Sequence, residues 1–211
     1  MTKKEIDNYF NFDYKAKDID LFINNNFNKT SDVSNLRKYV YGSYLYFRIY
    51  FKVSLMKYKT NKEKLDFVEN NLELFSDWWS TDIIGQFLKN PLDFSDHLAR
   101  AKRYVKSDLE FTKRFAYVLF INELAKDKKN HKEILSLIEN DDRYYVKMAI
   151  AWLLCEMLAF NSDIANYIKE CNLDTDVKRM TINKVRDSFK ISDEVKQDLL
   201  NYRKDNLKWV F

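Results

Sequence analysis

The chain has 211 residues and a net charge of +4, with 46% hydrophobic and 32% charged residues. Its two glycines and single proline are too few for the turns, hairpins and bulges of a β-sheet protein. Apolar residues recur at helical spacing along the whole chain, so the sequence predicts an all-α fold.

The predicted helices are joined by short links, which favours antiparallel neighbours. Residues of the N-cap type precede several of them, including Ser192 before the last helix. The clearest loop is the asparagine-rich segment 24–31. The predicted helical ranges are 3–10, 17–27, 32–40, 43–58, 61–75, 77–89, 94–106, 109–125, 130–139, 142–159, 162–170, 174–188 and 192–206.

Two of the four tryptophans, Trp78 and Trp79, lie together at the start of the predicted helix 77–89. Trp78 and Asp82 are four residues apart and therefore share one helix face, whereas Trp79 points about 100° away, toward the core. An indole beside a carboxylate is suited to holding a cation. The alternative is that Asp77 or Ser76 caps the helix, Trp78 or Trp79 packs in the core and Asp82 is solvated.

A weak internal repeat with a period of about 33 residues relates the segments 110–116, 143–149 and 176–181. Helix pairs of this length stack into an α-solenoid with a concave face. The alignment puts Arg114, Lys147 and Arg179 at equivalent positions, as a row of cations suited to phosphates. In a chain this rich in lysine and arginine, such a row also arises by chance, and a basic cluster is commonly a solvated helix face.

The predicted helix 142–159 is apolar nearly all round between Met148 and Leu154, which is typical of a central, buried helix. Trp152 lies in this stretch, and its indole N–H needs a partner if the ring is fully buried. Trp152 is thus a candidate either for the core or for a site.

The remaining reactive side chains form no recognisable site. Cys155 and Cys171 have neither disulfide nor zinc-ligand spacing, so we expect reduced thiols. His97 and His131 fit neither a metal site nor a catalytic triad, and we expect both at the surface. The sequence contains no apolar run long enough to span a bilayer and no signal peptide, so we expect a cytoplasmic protein without membrane partners.

Three motifs agree in order, spacing and helical context with a known family: residues 78–82 (Trp-Trp-Ser-Thr-Asp), 112–116 (Thr-Lys-Arg-Phe-Ala) and 144–156 (Tyr-Tyr-Val-Lys through Leu-Cys-Glu). Together they resemble the DNA alkylation repair family of HEAT-like repeat proteins, which includes AlkD-like DNA glycosylases. The similarity covers about residues 70–205. It implies one α-solenoid domain over 1–211, with divergent helices in 1–75 and better-matching repeats in 76–211.

The resemblance implies a monomeric enzyme that hydrolyses the N-glycosidic bond of 3-methyladenine and 7-methylguanine in double-stranded DNA, without a cofactor or metal. Trp78, Asp82 and Trp152 match residues that line a cleft in active members. An N-alkylated purine is cationic and a good leaving group, so a carboxylate at Asp82 has mainly to stabilise positive charge on the sugar and to orient water. The two indoles attract the same cation.

The resemblance also implies the DNA contacts of the protein. Arg114 matches an arginine that contacts DNA near the lesion, and Lys113, Lys147 and Arg179 are the corresponding candidates for the backbone. The sequence departs from the family motif Trp-x-Leu-Arg-Glu at one position, where Cys155 replaces the arginine. Alternative functions are a non-catalytic HEAT-like module that binds nucleic-acid backbone, or one that binds a protein partner.

Overall fold

The computed structural model describes residues 1–88 and 92–207. Within these residues the chain forms twelve α-helices and four short 3₁₀-helices, and no β-strand. The helices pack against one another, so the predicted all-α fold of the α-solenoid type is confirmed. Contacts divide the chain into two compact units, Met1–Lys89 and Asn90–Phe211. The single domain expected over 1–211 stays a prediction.

The first unit is organised around α3, which packs against α2 and α5. Its helices are α1 (Lys3–Tyr9), α2 (Ala16–Asn26), α3 (Tyr44–Leu55), α4 (Asn61–Glu69) and α5 (Trp78–Phe87), with 3₁₀-helices at Ser34–Tyr39 and Leu72–Leu74. Phe47 and Phe51 are fully buried and their ring centroids lie 4.3 Å apart. Most of the aromatic side chains of α3 therefore form a core.

A cap at Asp77 or Ser76 was one prediction for the start of the helix that contains Trp78 and Trp79. The side chain of Asp77 accepts a hydrogen bond from the backbone N–H of Trp78 and begins α5 as an N-cap. The segment 32–40 was predicted as an α-helix, but Ser34–Tyr39 forms a 3₁₀-helix instead. The structure ends α5 at Phe87, and the predicted last residue of this helix, 89, lies outside the described residues.

The second unit is organised around α9, which packs against α7 on one side and α11 on the other. Its helices are α6 (Phe94–Tyr104), α7 (Glu110–Ile121), α8 (His131–Leu135), α9 (Tyr144–Leu158), α10 (Ile164–Glu170), α11 (Thr175–Asp187) and α12 (Asp193–Asn206), with 3₁₀-helices at Leu124–Lys126 and Lys128–Asn130. Ser192 caps α12, as predicted. In the described part of the chain, no helix is both long and apolar enough to cross a membrane.

The central position predicted for α9 is confirmed, because most of its side chains are buried. Ala149 and Ala151 are fully buried, and such small side chains let neighbouring helices approach closely. Trp152 is an exception, since its indole is only half-buried.

The expectation that both histidines lie at the surface was wrong. His97 is fully buried, and its Nδ1 lies 2.7 Å from the backbone oxygen of Asp93. Burial lowers the pKa of His97, which keeps the ring neutral at pH 7. His131 is also buried, with Nε2 2.7 Å from the backbone oxygen of Ala125. Both rings bind backbone groups, so we assign them a structural role.

Candidate functional site

Trp78 presents its indole to solvent at the first turn of α5. Its side chain is 45% exposed, although the same helix buries Ile83 and Ile84 almost completely. A single exposed apolar side chain is common on protein surfaces, so Trp78 is a candidate for ligand contact only together with the carboxylate next to it. The four-residue spacing puts the half-buried Asp82 one helical turn further along the same face.

Thr81 lies beside Asp82. Its hydroxyl is 2.8 Å from the backbone oxygen of Trp78 and 3.1 Å from Oδ1 of Asp82. A hydroxyl has one proton, so it donates to one of these two acceptors at a time. Thr81 is fully buried, which keeps its hydroxyl next to the carboxylate.

Trp79 is partly buried in the first unit and packs against other aromatic side chains. Its ring meets those of Tyr44 and Phe47 edge to face, with centroid distances of 5.4 and 5.3 Å. Aromatic pairs in this arrangement stabilise a core beyond the area that they bury. The two adjacent tryptophans thus differ in role, and Trp78 is the one that stays available.

Trp152 is a partly exposed indole of the second unit, and a cation lies over it. The ammonium nitrogen of Lys184 on α11 is 6.0 Å from the ring centroid of Trp152. This is within the range of a cation–π interaction. Lys184 was not predicted from the sequence, because the contact joins two helices and leaves no local spacing signal.

The four predicted DNA contacts all have partners in the second unit. Lys113 forms an ion pair with Asp141 at 2.9 Å, and Lys147 lies 3.5 Å from both Asp174 and Asp176. The Arg114 side chain is buried and donates through Nη1 to the backbone oxygen of Tyr145 at 3.0 Å. Arg179 donates through Nε and Nη2 to the backbone oxygen of Leu207 at 3.1 and 2.9 Å. These side chains stabilise the unit, and their contact with DNA stays a prediction.

Two lysines of the second unit form similar ion pairs. Lys113 on α7 and Lys147 on α9 each pair with an aspartate that precedes a later helix. The repeated feature is a lysine that ties one helix to the loop before the next long helix.

Asp141 is the centre of an ionic cluster in this unit. It is 9% exposed and accepts hydrogen bonds from the backbone N–H, Nε and Nη2 of Arg143, at 2.9, 2.8 and 2.6 Å. Hydrogen bonds from Arg143, with Lys113 adding to them, hold the pKa of Asp141 well below its ordinary value although burial acts in the opposite direction. Asp141 is therefore ionised at neutral pH.

A family model described as DNA alkylation repair enzyme matches residues 48–190. The chain belongs to this DNA alkylation repair family. The match begins inside α3, earlier than the sequence motifs indicated, and it includes Trp78, Asp82, Arg114 and Trp152. Membership associates the protein with the repair of alkylated DNA and with DNA as its partner. No curated protein and no solved structure matches the chain.

Cys155 departs from the motif of the family, and its surroundings explain how the fold accepts a thiol. The residue is 6% exposed, and burial raises the pKa of the Cys155 thiol to about 11, so it is neutral at pH 7. The two cysteines are free thiols, as expected. No group of three His, Cys, Asp or Glu side chains within 1–88 and 92–207 is placed to hold a metal ion.

Proposed function

We propose that this member of the DNA alkylation repair family is a DNA glycosylase that excises cationic N-alkylated purines, 3-methyladenine and 7-methylguanine. The observation that supports this most is the placement on α5 of an exposed indole, Trp78, one helical turn from a half-buried carboxylate, Asp82. Family membership gives that pairing a substrate class.

In the proposed reaction, the bond between the sugar C1′ and the purine nitrogen breaks, and both electrons leave with the base. Because the purine is already positively charged, it departs as a neutral molecule and needs no general acid. Asp82 stabilises the positive charge that develops on the sugar and orients the water that adds to C1′, whose proton passes to solvent. Trp78 faces the same cation.

The second unit contributes to DNA binding in this proposal. Trp152 offers an indole surface, and Lys184 beside it supplies a positive charge for a phosphate. Lys184 on α11 thereby supplies a positive charge near Cys155, the residue that replaces the arginine of the family motif. Arg114 and Arg179 act as positioning residues through the backbone oxygens that they hold, and Lys147 remains a candidate for the DNA backbone because its ion pairs are long.

Incubation of the protein with methylated duplex DNA tests the proposal. We expect release of 7-methylguanine and 3-methyladenine above the spontaneous rate, together with DNA binding that weakens as salt is added. Salt-dependent binding without release of a base would favour the non-catalytic module. Absence of both would favour a protein partner and contradict the proposed function.

The two adjacent tryptophans are expected to give opposite results when each is replaced by leucine. Trp78→Leu should slow base release by about tenfold, the loss expected for one cation–π interaction, and change the free energy of unfolding by less than about 0.5 kcal/mol. Trp79→Leu should destabilise the fold by about 2 kcal/mol, because it loses its edge-to-face contacts, and leave release per folded molecule unchanged. Thermal unfolding and base release measured on both variants check this, and equal stability losses would contradict it.

Lys184→Met is expected to weaken DNA binding and to reduce its salt dependence. The loss of one phosphate contact lowers the slope of log K against log salt by about 0.9. Lys132→Met, at an exposed lysine of α8, is the matched control and should leave the slope unchanged. Fluorescence anisotropy on a labelled duplex at several salt concentrations measures both slopes. The same slope for Lys184→Met and for the unaltered protein would remove Lys184 from the DNA interface.

A further inference from the structure

The first unit contains a cavity of ≈ 590 Å³ that is not lined by Trp78 or Asp82. It is lined by residues of α2, α3, α4 and the end of α5, all within the described residues. Cavities of about 300–1,000 Å³ are typical of small-molecule sites. The proposed glycosylase reaction does not use this cavity, so that reaction does not account for the side chains that line it.

The charged side chains of the cavity are fixed around one carboxylate. Asp20 accepts hydrogen bonds from Nε and Nη2 of Arg48 at 2.9 and 2.7 Å, and it lies 2.9 Å from the ammonium of Lys52. Burial alone would raise the pKa of Asp20, but the hydrogen bonds from Arg48 and Lys52 outweigh it, so the pKa is lowered and the carboxylate is ionised. Arg48 also lies over the ring of Phe87, 5.5 Å from its centroid.

Cationic side chains outnumber carboxylates among the described residues that line the cavity. Arg48, Lys52 and Lys64 are the cations, and Asp20 is the carboxylate. Lys64 belongs to α4, and its ammonium donates to the backbone oxygen of Phe87 at 3.4 Å. A lysine ammonium has three donors, and Asp20 takes one from Lys52. The cavity is therefore suited to an anion that is held by charge-assisted hydrogen bonds.

The rest of the lining is apolar or aromatic. Leu55, Met56 and Tyr58 contribute to the wall together with Phe87. An inorganic anion would occupy only a small part of the cavity and would leave this surface uncovered. A ligand that combines an anionic group with an organic group of nucleoside size fits both the charge and the volume.

We propose that the cavity binds an organic monophosphate of nucleoside size. Its phosphate pairs with Lys52 and Lys64, and its organic part packs against Met56 and Tyr58. Arg48 is a positioning residue, because its guanidinium is committed to Asp20 and the ring of Phe87. This site is independent of base excision and lies within the first unit.

Titration calorimetry on the full chain tests the proposal with three probes: deoxyadenosine 5′-monophosphate, deoxyadenosine and inorganic phosphate. We expect saturable binding of the monophosphate. The nucleoside and inorganic phosphate should each bind more weakly by about tenfold or more, because the first lacks the charge-assisted hydrogen bonds and the second lacks the apolar contacts. Equal binding of the nucleoside and its monophosphate would overturn the proposal, and so would the absence of saturable binding of the monophosphate.

Two substitutions on α4 locate the binding. Lys64→Met should weaken binding of the monophosphate by about tenfold, since one charged contact is removed. Lys62→Met is the matched control, because Lys62 is 69% exposed, pairs with Asp66 and does not line the cavity. Lys64→Arg should keep the binding. Thermal unfolding of both Lys64 variants checks that each is folded at the temperature of the titration. Unchanged affinity of Lys64→Met for the monophosphate would overturn the proposed site.

Discussion

Asp82→Asn is expected to slow the release of 7-methylguanine from methylated duplex DNA by about 10²–10³-fold, the range found when one preorganised electrostatic group is removed. The amide has nearly the same shape as the carboxylate but carries no charge, so it cannot stabilise positive charge on the sugar. DNA affinity should not weaken, because the substitution removes a negative charge from the vicinity of phosphates. Rate constants from single-turnover experiments and equilibrium binding on the same preparation measure the two effects separately.

Asp13→Asn is the matched control for this experiment. Asp13 is an exposed aspartate of the same unit, and its substitution makes the same chemical change. Release by this variant should equal that of the unaltered protein. If Asp82→Asn and Asp13→Asn release the base equally fast, Asp82 has no part in the mechanism.

Asp141→Asn is expected to have the largest effect on stability, a loss of about 3 kcal/mol in the free energy of unfolding at pH 7. Asp141 is buried and pairs with both Lys113 and Arg143. The neutral amide would leave these two cations without their counter-charge. The loss lies at the low end of the range for buried pairs because the Arg143 side chain keeps 30% exposure. Chemical denaturation measures the loss, and an equally stable variant would contradict it.

The same substitution should change the response of the protein to acid. Because the pKa of Asp141 is lower in the folded than in the unfolded protein, its contribution is fully present above the unfolded pKa of about 4 and declines as the pH falls below it. The stability difference between the unaltered protein and Asp141→Asn should therefore be constant from pH 6 to 8 and shrink below about pH 4. Denaturation curves at several pH values check the sign, and a difference that grows on acidification would contradict it.

The parts of the fold that depend on neighbours in sequence were predictable. The nearly all-round apolar pattern of α9 predicted its burial, and Ser192 was predicted as the cap of the last helix. The burial of His97 and His131 was not predictable, because each ring pairs with a backbone oxygen that only the folded turn brings close. A histidine has the same local pattern whether its partner is water or a buried carbonyl.

The candidate site likewise has features that could be predicted from the sequence and features that could not. The shared face of Trp78 and Asp82 follows from four-residue spacing on one helix, and the packing of Trp79 follows from the same geometry. The partners of Lys113 and Lys147 lie in loops beyond the next helix, so their ion pairs leave no signal in either helix. The contact of Lys184 with Trp152 is likewise long-range.

The most direct test of the account is the rate at which the purified protein releases 7-methylguanine from methylated duplex DNA without added metal or cofactor. The account predicts release well above spontaneous depurination, with most of the excess lost in Asp82→Asn. Release at the spontaneous rate, by a protein that is folded and binds the duplex, would contradict the proposal that it is a glycosylase.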